Sequence, residues 1–190
     1  EYLALERLSP SGAKLLARSP AHYLWSRAHP FPETPALRVG KATHSLALEG
    51  RAAFAVAFAV APECDRRTTV GKGIWADFLA ASEGRTVLTA SEAEQVEGMA
   101  GGILAHPLAP ALIEGGTPEL SMLWDDPETG APCKGRADLA RLGDGVILDL
   151  KTTIDASPSA FARAVVGYSY NTQGAAYLAG AAALGAEASD

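Results

Sequence analysis

Asp149 and Lys151 stand two positions apart in Val146-Ile147-Leu148-Asp149-Leu150-Lys151-Thr152-Thr153. Side chains alternate between faces in an extended chain, so this spacing points a carboxylate and an ammonium the same way. A second carboxylate, Asp138, closes the stretch Cys133-Lys134-Gly135-Arg136-Ala137-Asp138. With Gly143-Asp144 as a two-residue turn, Asp138 falls directly opposite Asp149. Sliding the register by two places Asp138 opposite Lys151 and keeps all three on one face. Two facing carboxylates repel each other, and a cation between them reverses that penalty. Oxygen-only carboxylate ligation suits Mg²⁺, or Mn²⁺ in its place, better than zinc. Val146, Ile147, Leu148 and Leu150 mark an interior strand, where unpaired charge is strongly unfavourable. Glu119 joins the group if a four-residue loop at Pro127–Gly130 returns its strand beside Asp138.

The elements that must hold these residues are readable. Strands are expected at Glu119–Trp124, Ala131–Ala140 and Gly145–Lys151, separated by turn signals at Asp126–Gly130 and Gly143–Gly145. Two helices follow, about Ser157–Val166 and Tyr170–Ala183, the second placing Gln173 and Tyr177 four apart on one face. Upstream, Ser9-Pro10 and Ser19-Pro20 open helices to Arg18 and about Arg27, and Pro35–Glu49 reads as a third carrying His44. The apolar run Phe54–Val60 reads as a buried strand, Ile74–Ala81 as a helix, and Thr89-Ala90-Ser91-Glu92 as a capping box opening a helix to about His106. Trp25, Trp75 and Trp124 read as core, and His22, His29 and His106 as structural. The expectation is an α/β protein: a single domain over 1–190 with a central mixed β-sheet flanked by helices, without internal repeat or linker.

The chain has 190 residues, with 16 basic and 22 acidic side chains for a formal charge of −6. A chain this long buries roughly 70% of its unfolded surface and needs no metal or disulfide staple. Its 48% hydrophobic and 20% charged residues argue against disorder. The acidic balance excludes a simple basic coat for nucleic acid, though it says nothing of a cleft. Two cysteines, Cys64 and Cys133, are too few for a secreted disulfide framework, which points to a cytoplasmic setting. The longest apolar stretch, Ala52–Ala61, is too short to span a bilayer, so no membrane is expected as a partner.

Taken in order, several stretches resemble one family. They are Leu8-Ser9-Pro10-Ser11, Ser19-Pro20-Ala21-His22-Tyr23, the G-x-x-x-H element Gly40–His44, and Asp65-Arg66-Arg67-Thr68. Then come Gly135-Arg136-Ala137-Asp138, Leu148–Thr153, and Asn171-Thr172-Gln173 with Tyr177. The series is similar to the RecE-type exonuclease (exonuclease VIII) branch, RecB-like, of the PD-(D/E)xK nuclease superfamily. The resemblance implies a restriction-endonuclease-like core, with N-terminal helices in 1–50 and the catalytic core in 115–183.

By that resemblance, Asp138 and Asp149 would hold the catalytic metal, Mg²⁺ or Mn²⁺, with the backbone oxygen of Leu150 as a further ligand. His44 would sit at the metal site, and Glu119 would add an acidic group near it. Lys151 would position the attacking water or stabilise charge on the phosphate, and Gln173 and Tyr177 would contact the DNA backbone or support Lys151. Phosphate contacts are expected from local basic residues: Arg38, Lys41, Arg66, Arg67, Lys72 and Lys134. Members of the family degrade duplex DNA 5′→3′ from its ends and leave 3′ single-stranded tails for an annealing protein. Ring-forming relatives imply a homo-oligomer. Three rivals stay open: a RecB- or Cas4-like single-strand nuclease of other polarity, a non-catalytic DNA-end-binding module, and a soluble α/β interaction domain with no nucleic-acid role. Members that carry an iron–sulfur cluster use four cysteines, and two are present here, so no cluster is expected.

Overall fold

Hydroxyl side chains cap six of the helices. Ser9, Ser19, Thr34, Thr68, Thr89 and Ser157 each accept a hydrogen bond from a backbone N–H of the first turn, four of them just ahead of a proline. The computed structural model describes residues 2–185; residue 1 and residues 186–190 of the expected 1–190 domain lie outside the described residues. In chain order the helices and strands are α1 (Pro10–Arg18), α2 (Pro20–Ala28), α3 (Pro35–His44), α4 (Arg51–Ala57), β1 (Phe58–Val60), α5 (Thr69–Ala81) and β2 (Thr86–Leu88). Then follow α6 (Ala90–Leu104), α7 (Ala109–Ile113), β3 (Thr117–Asp125), β4 (Pro132–Arg141), β5 (Val146–Leu148), α8 (Pro158–Gly167) and α9 (Tyr170–Ala183). Among the described residues no helix is long and apolar enough to cross a membrane.

The α/β class holds, and among the described residues the strands form two small sheets where one mixed sheet was expected. β1 and β2 pair in parallel, while β3, β4 and β5 form an antiparallel meander. The chain divides into two compact units, Glu1–Pro32 with Gly115–Asp190, and Glu33–Glu114.

In the unit Glu33–Glu114, the expected strand Phe54–Val60 is corrected. Arg51–Ala57 is helical and only Phe58–Val60 is extended. Alanines at 52, 53, 55 and 57 favour helix, and Phe54 stacks one turn below Phe58 at 5.3 Å between ring centres. The parallel pairing of β1 and β2 requires a crossover, which α5 supplies. That helix starts five residues before Ile74, because Thr68 caps it and Gly71 lets the Asp65 carbonyl close over its first turn. A Cβ on Gly71 would stand 2.0 Å from that oxygen.

In the other unit, Leu120, Met122 and Trp124 alternate inward along β3 and face Cys133, Gly135 and Ala137 of β4. Helix α9 lies on this face through Tyr177 and Ala181. Gly180 permits the approach: a Cβ there would stand 3.0 Å from Trp124 and 3.1 Å from Met122. Gly135 does the same beneath the Tyr177 ring, at 3.3 Å. Trp124 is core as expected, whereas Trp25 is exposed and stacks on His29.

Candidate active site

The β4–β5 ladder pairs Leu139 with Leu148 and Arg141 with Val146, the register that puts Asp138 opposite Asp149. The expected strand to Lys151 stops at Leu148, one position short of the two aspartates. Asp138 itself accounts for the stop: its Oδ2 accepts the Leu150 N–H at 2.7 Å, taking a donor that would otherwise continue the ladder. The backbone leaves the sheet there, and Asp149 meets α9.

Asp149 is contacted from three directions. Gln173 donates Nε2 to its Oδ1 at 3.0 Å, the Tyr177 hydroxyl donates to the same oxygen at 3.4 Å, and Lys151 forms an ion pair with Oδ2. Gln173 also donates to the Tyr177 hydroxyl at 2.7 Å, so amide, phenol and carboxylate form a closed triangle. Burial raises the Tyr177 phenol well above its usual range, and the nearby Asp149 adds to the rise. The hydroxyl therefore keeps its proton at neutral pH and remains a donor. The Lys151 ammonium lies 5.2 Å from the centre of the Tyr170 ring. Tyr170, Gln173 and Tyr177 recur at helical spacing along α9, and with Asp149, Lys151 and Phe161 they line a cavity of about 220 Å³.

Glu119 sits across β3–β4 from Asp138, where it adopts a positive φ of 52° and pairs with Arg136 at 3.2 Å. His44 ends α3 in the unit Glu33–Glu114. Among the described residues no three of His, Cys, Asp and Glu form a group that could hold a metal ion. Lys134 is corrected as a DNA contact. It is buried, and its ammonium donates to the carbonyls of Tyr2, Leu3 and Leu5 at 2.8–3.3 Å, fastening the N-terminal turn to β4. Tyr177 is likewise buried, and its hydroxyl is turned to Asp149. Arg38 is held by Glu92, whose carboxyl it keeps below the usual range, and Glu92 also completes the capping box of α6. Arg67 pairs with Asp65, and the Arg66 guanidinium lies 4.5 Å from the centre of the Trp75 ring.

The donor set suits a hard divalent cation. Asp138 and Asp149 offer carboxylate oxygens only, and Asp149 already attracts a cation in the form of the Lys151 ammonium. Two carboxylates are what Mg²⁺ commonly takes from protein, the rest of its octahedron being water and substrate phosphate. Sequence reasoning missed Tyr170, although it stands one turn before Gln173 on the same α9 face. It also missed Lys14, whose ammonium donates to the Tyr168 carbonyl at 2.7 Å, because a contact spanning 154 residues leaves no local pattern.

One family model, described as PDDEXK-like domain of unknown function (DUF3799), matches residues 9–186. No curated protein matches the chain.

Proposed function

The chain belongs to this PDDEXK-like family, a nuclease-type fold, and from that membership we propose that it is a Mg²⁺-dependent deoxyribonuclease acting on the ends of duplex DNA. The observation that carries the reading is the Asp149 carboxylate, gripped by Lys151, Gln173 and Tyr177 and placed in register with Asp138. Asp138 and Asp149 would hold the metal, which supplies charge for the phosphate oxygens and acidifies a bound water. Lys151 places its ammonium beside the cavity, where it can orient the attacking water or stabilise the negative charge that grows on the phosphate. Gln173 and Tyr177 fix the Asp149 carboxylate so that it need not reorganise during the reaction. The 5′→3′ polarity, the 3′ tails handed to an annealing protein and a ring-shaped homo-oligomer rest on the resemblance of the motif series.

The deciding experiment uses linear duplex labelled at either the 5′ or the 3′ end, with Mg²⁺ and a circular control. Release of 5′ label as mononucleotide, with the circle intact, is expected. Asp149→Ala and Lys151→Ala should each abolish release while circular dichroism stays close to wild type. Full cleavage by both variants would sink the assignment, and 3′ release would turn it toward the RecB-like reading. Binding of ends without any cleavage would leave the non-catalytic module.

A further inference from the structure

The active-site cavity has a second cation beside it that the nuclease reading does not use. Lys14 projects from α1, is half-buried, and donates to the Tyr168 carbonyl at 2.7 Å. Its ammonium lies 5.8 Å from the centre of the Tyr170 ring, the same ring that carries Lys151 at 5.2 Å. Tyr170 is also a wall of the cavity that holds Asp149 and Lys151. The two lysines differ in one respect. Lys151 has Asp149 as its counter-ion, whereas among the described residues no carboxylate forms an ion pair with Lys14. Burial depresses the Lys14 ammonium, and the Lys151 charge depresses it further, with Asp149 opposing. An ammonium carries three donors, and the Tyr168 carbonyl uses one, which leaves two for a ligand.

We propose that Lys14, steadied on Tyr168 and Tyr170, is a phosphate-binding subsite that seats the DNA strand beside the phosphodiester being cut. The proposal rests on the nuclease reading and adds a substrate contact to it. A phosphate is the anion that fits: it reaches the site whenever Asp138 and Asp149 engage the neighbouring linkage, and it offsets the repulsion between the two lysines. Its contribution is to binding, because Lys14 touches neither aspartate.

The contrary possibility is that Lys14 only staples α1 to the segment before α9. Lys14→Met separates the two, since it keeps the aliphatic stem against the ring and removes the charge. Binding of a duplex end is measured by fluorescence anisotropy with Ca²⁺ in place of Mg²⁺ across a salt series, and cleavage is measured with Mg²⁺. The subsite predicts about a tenfold rise in Kd for Lys14→Met. The slope of log K against log salt should shrink by about 0.9, one phosphate contact fewer. KM should rise with kcat nearly unchanged, and Lys14→Arg should restore both affinity and slope. Lys14→Gln carries the same expectation if Lys14→Met does not fold. Wild-type affinity and slope in the neutral variant, beside a wild type that cuts DNA, would overturn the subsite alone. A wild type that neither binds nor cuts DNA would overturn the nuclease reading and the subsite with it.

Discussion

Asp149 has to serve two demands, carrying a counter-ion when no metal is bound and holding its carboxylate in place. Lys151 meets the first by forming an ion pair with Oδ2. Gln173 and Tyr177 meet the second by holding Oδ1 from a helix that is itself anchored in the core. Tyr177 is the more informative of the two, because its ring packs beneath Gly135 while its hydroxyl reaches the site. Tyr177→Phe removes the hydroxyl and leaves the ring. Outer partners of metal-binding carboxylates are worth about 10–100-fold in metal affinity or activity. Calorimetric titration of Mn²⁺ should show a weakening in that range, with Mg²⁺ activation shifted alike and the melting temperature only slightly lower. Unchanged metal affinity would mean that the triangle of Gln173, Tyr177 and Asp149 is packing and nothing more.

At the scale of elements, the features legible in the sequence were those written in local chemistry. The caps Ser9 and Ser19, the capping box of Thr89 and Glu92, and the turn at Gly143–Gly145 all fall where spacing places them. A two-residue turn at Gly143-Asp144 gives the 138-to-149 register that β4 and β5 adopt, one of the two registers the sequence leaves open. What escaped depends on competition or on distance. Phe54–Val60 is apolar in either conformation, and the alanines of α4 decided for helix. β5 ends early because a side chain, Asp138, displaces a ladder carbonyl. Lys134 looked like a surface cation, but its partners are the carbonyls of Tyr2, Leu3 and Leu5 at the far end of the chain. Gly180 is another long-range fact, a gap in α9 shaped by Met122 and Trp124. Gly180→Leu should force α9 away from β3 and cost about 1–3 kcal/mol by denaturant titration. Since α9 carries Tyr170, Gln173 and Tyr177, cleavage should fall even at temperatures where the variant stays folded. A variant of wild-type stability and activity would show that α9 does not depend on this contact.

For the whole molecule the relevant quantity is a formal charge of −6, which opposes a polyanion unless it is locally overcome. Among the cationic side chains proposed for phosphate, Arg38 and Arg67 have carboxylate partners and Lys134 is buried. Within the unit that holds the site, Lys14 and Lys151 are the cations flanking the Tyr170 ring, and Lys151 is compensated by Asp149. A divalent ion held by Asp138 and Asp149, as proposed, would reverse that balance by taking the place of Lys151 as counter-ion and adding charge of its own. Duplex affinity should thus depend on metal as a matter of electrostatics, separately from catalysis. In EDTA, anisotropy should show binding at least about tenfold weaker than in Ca²⁺, a difference of about 1.4 kcal/mol. The double variant Asp138→Asn and Asp149→Asn removes two negative charges without a metal, so it should bind duplex better than wild type in EDTA and gain little from Ca²⁺. Its cleavage should be absent in every ion. If the double variant instead loses DNA binding altogether, the aspartates act on the duplex by holding structure, and the electrostatic account of this acidic protein's affinity fails.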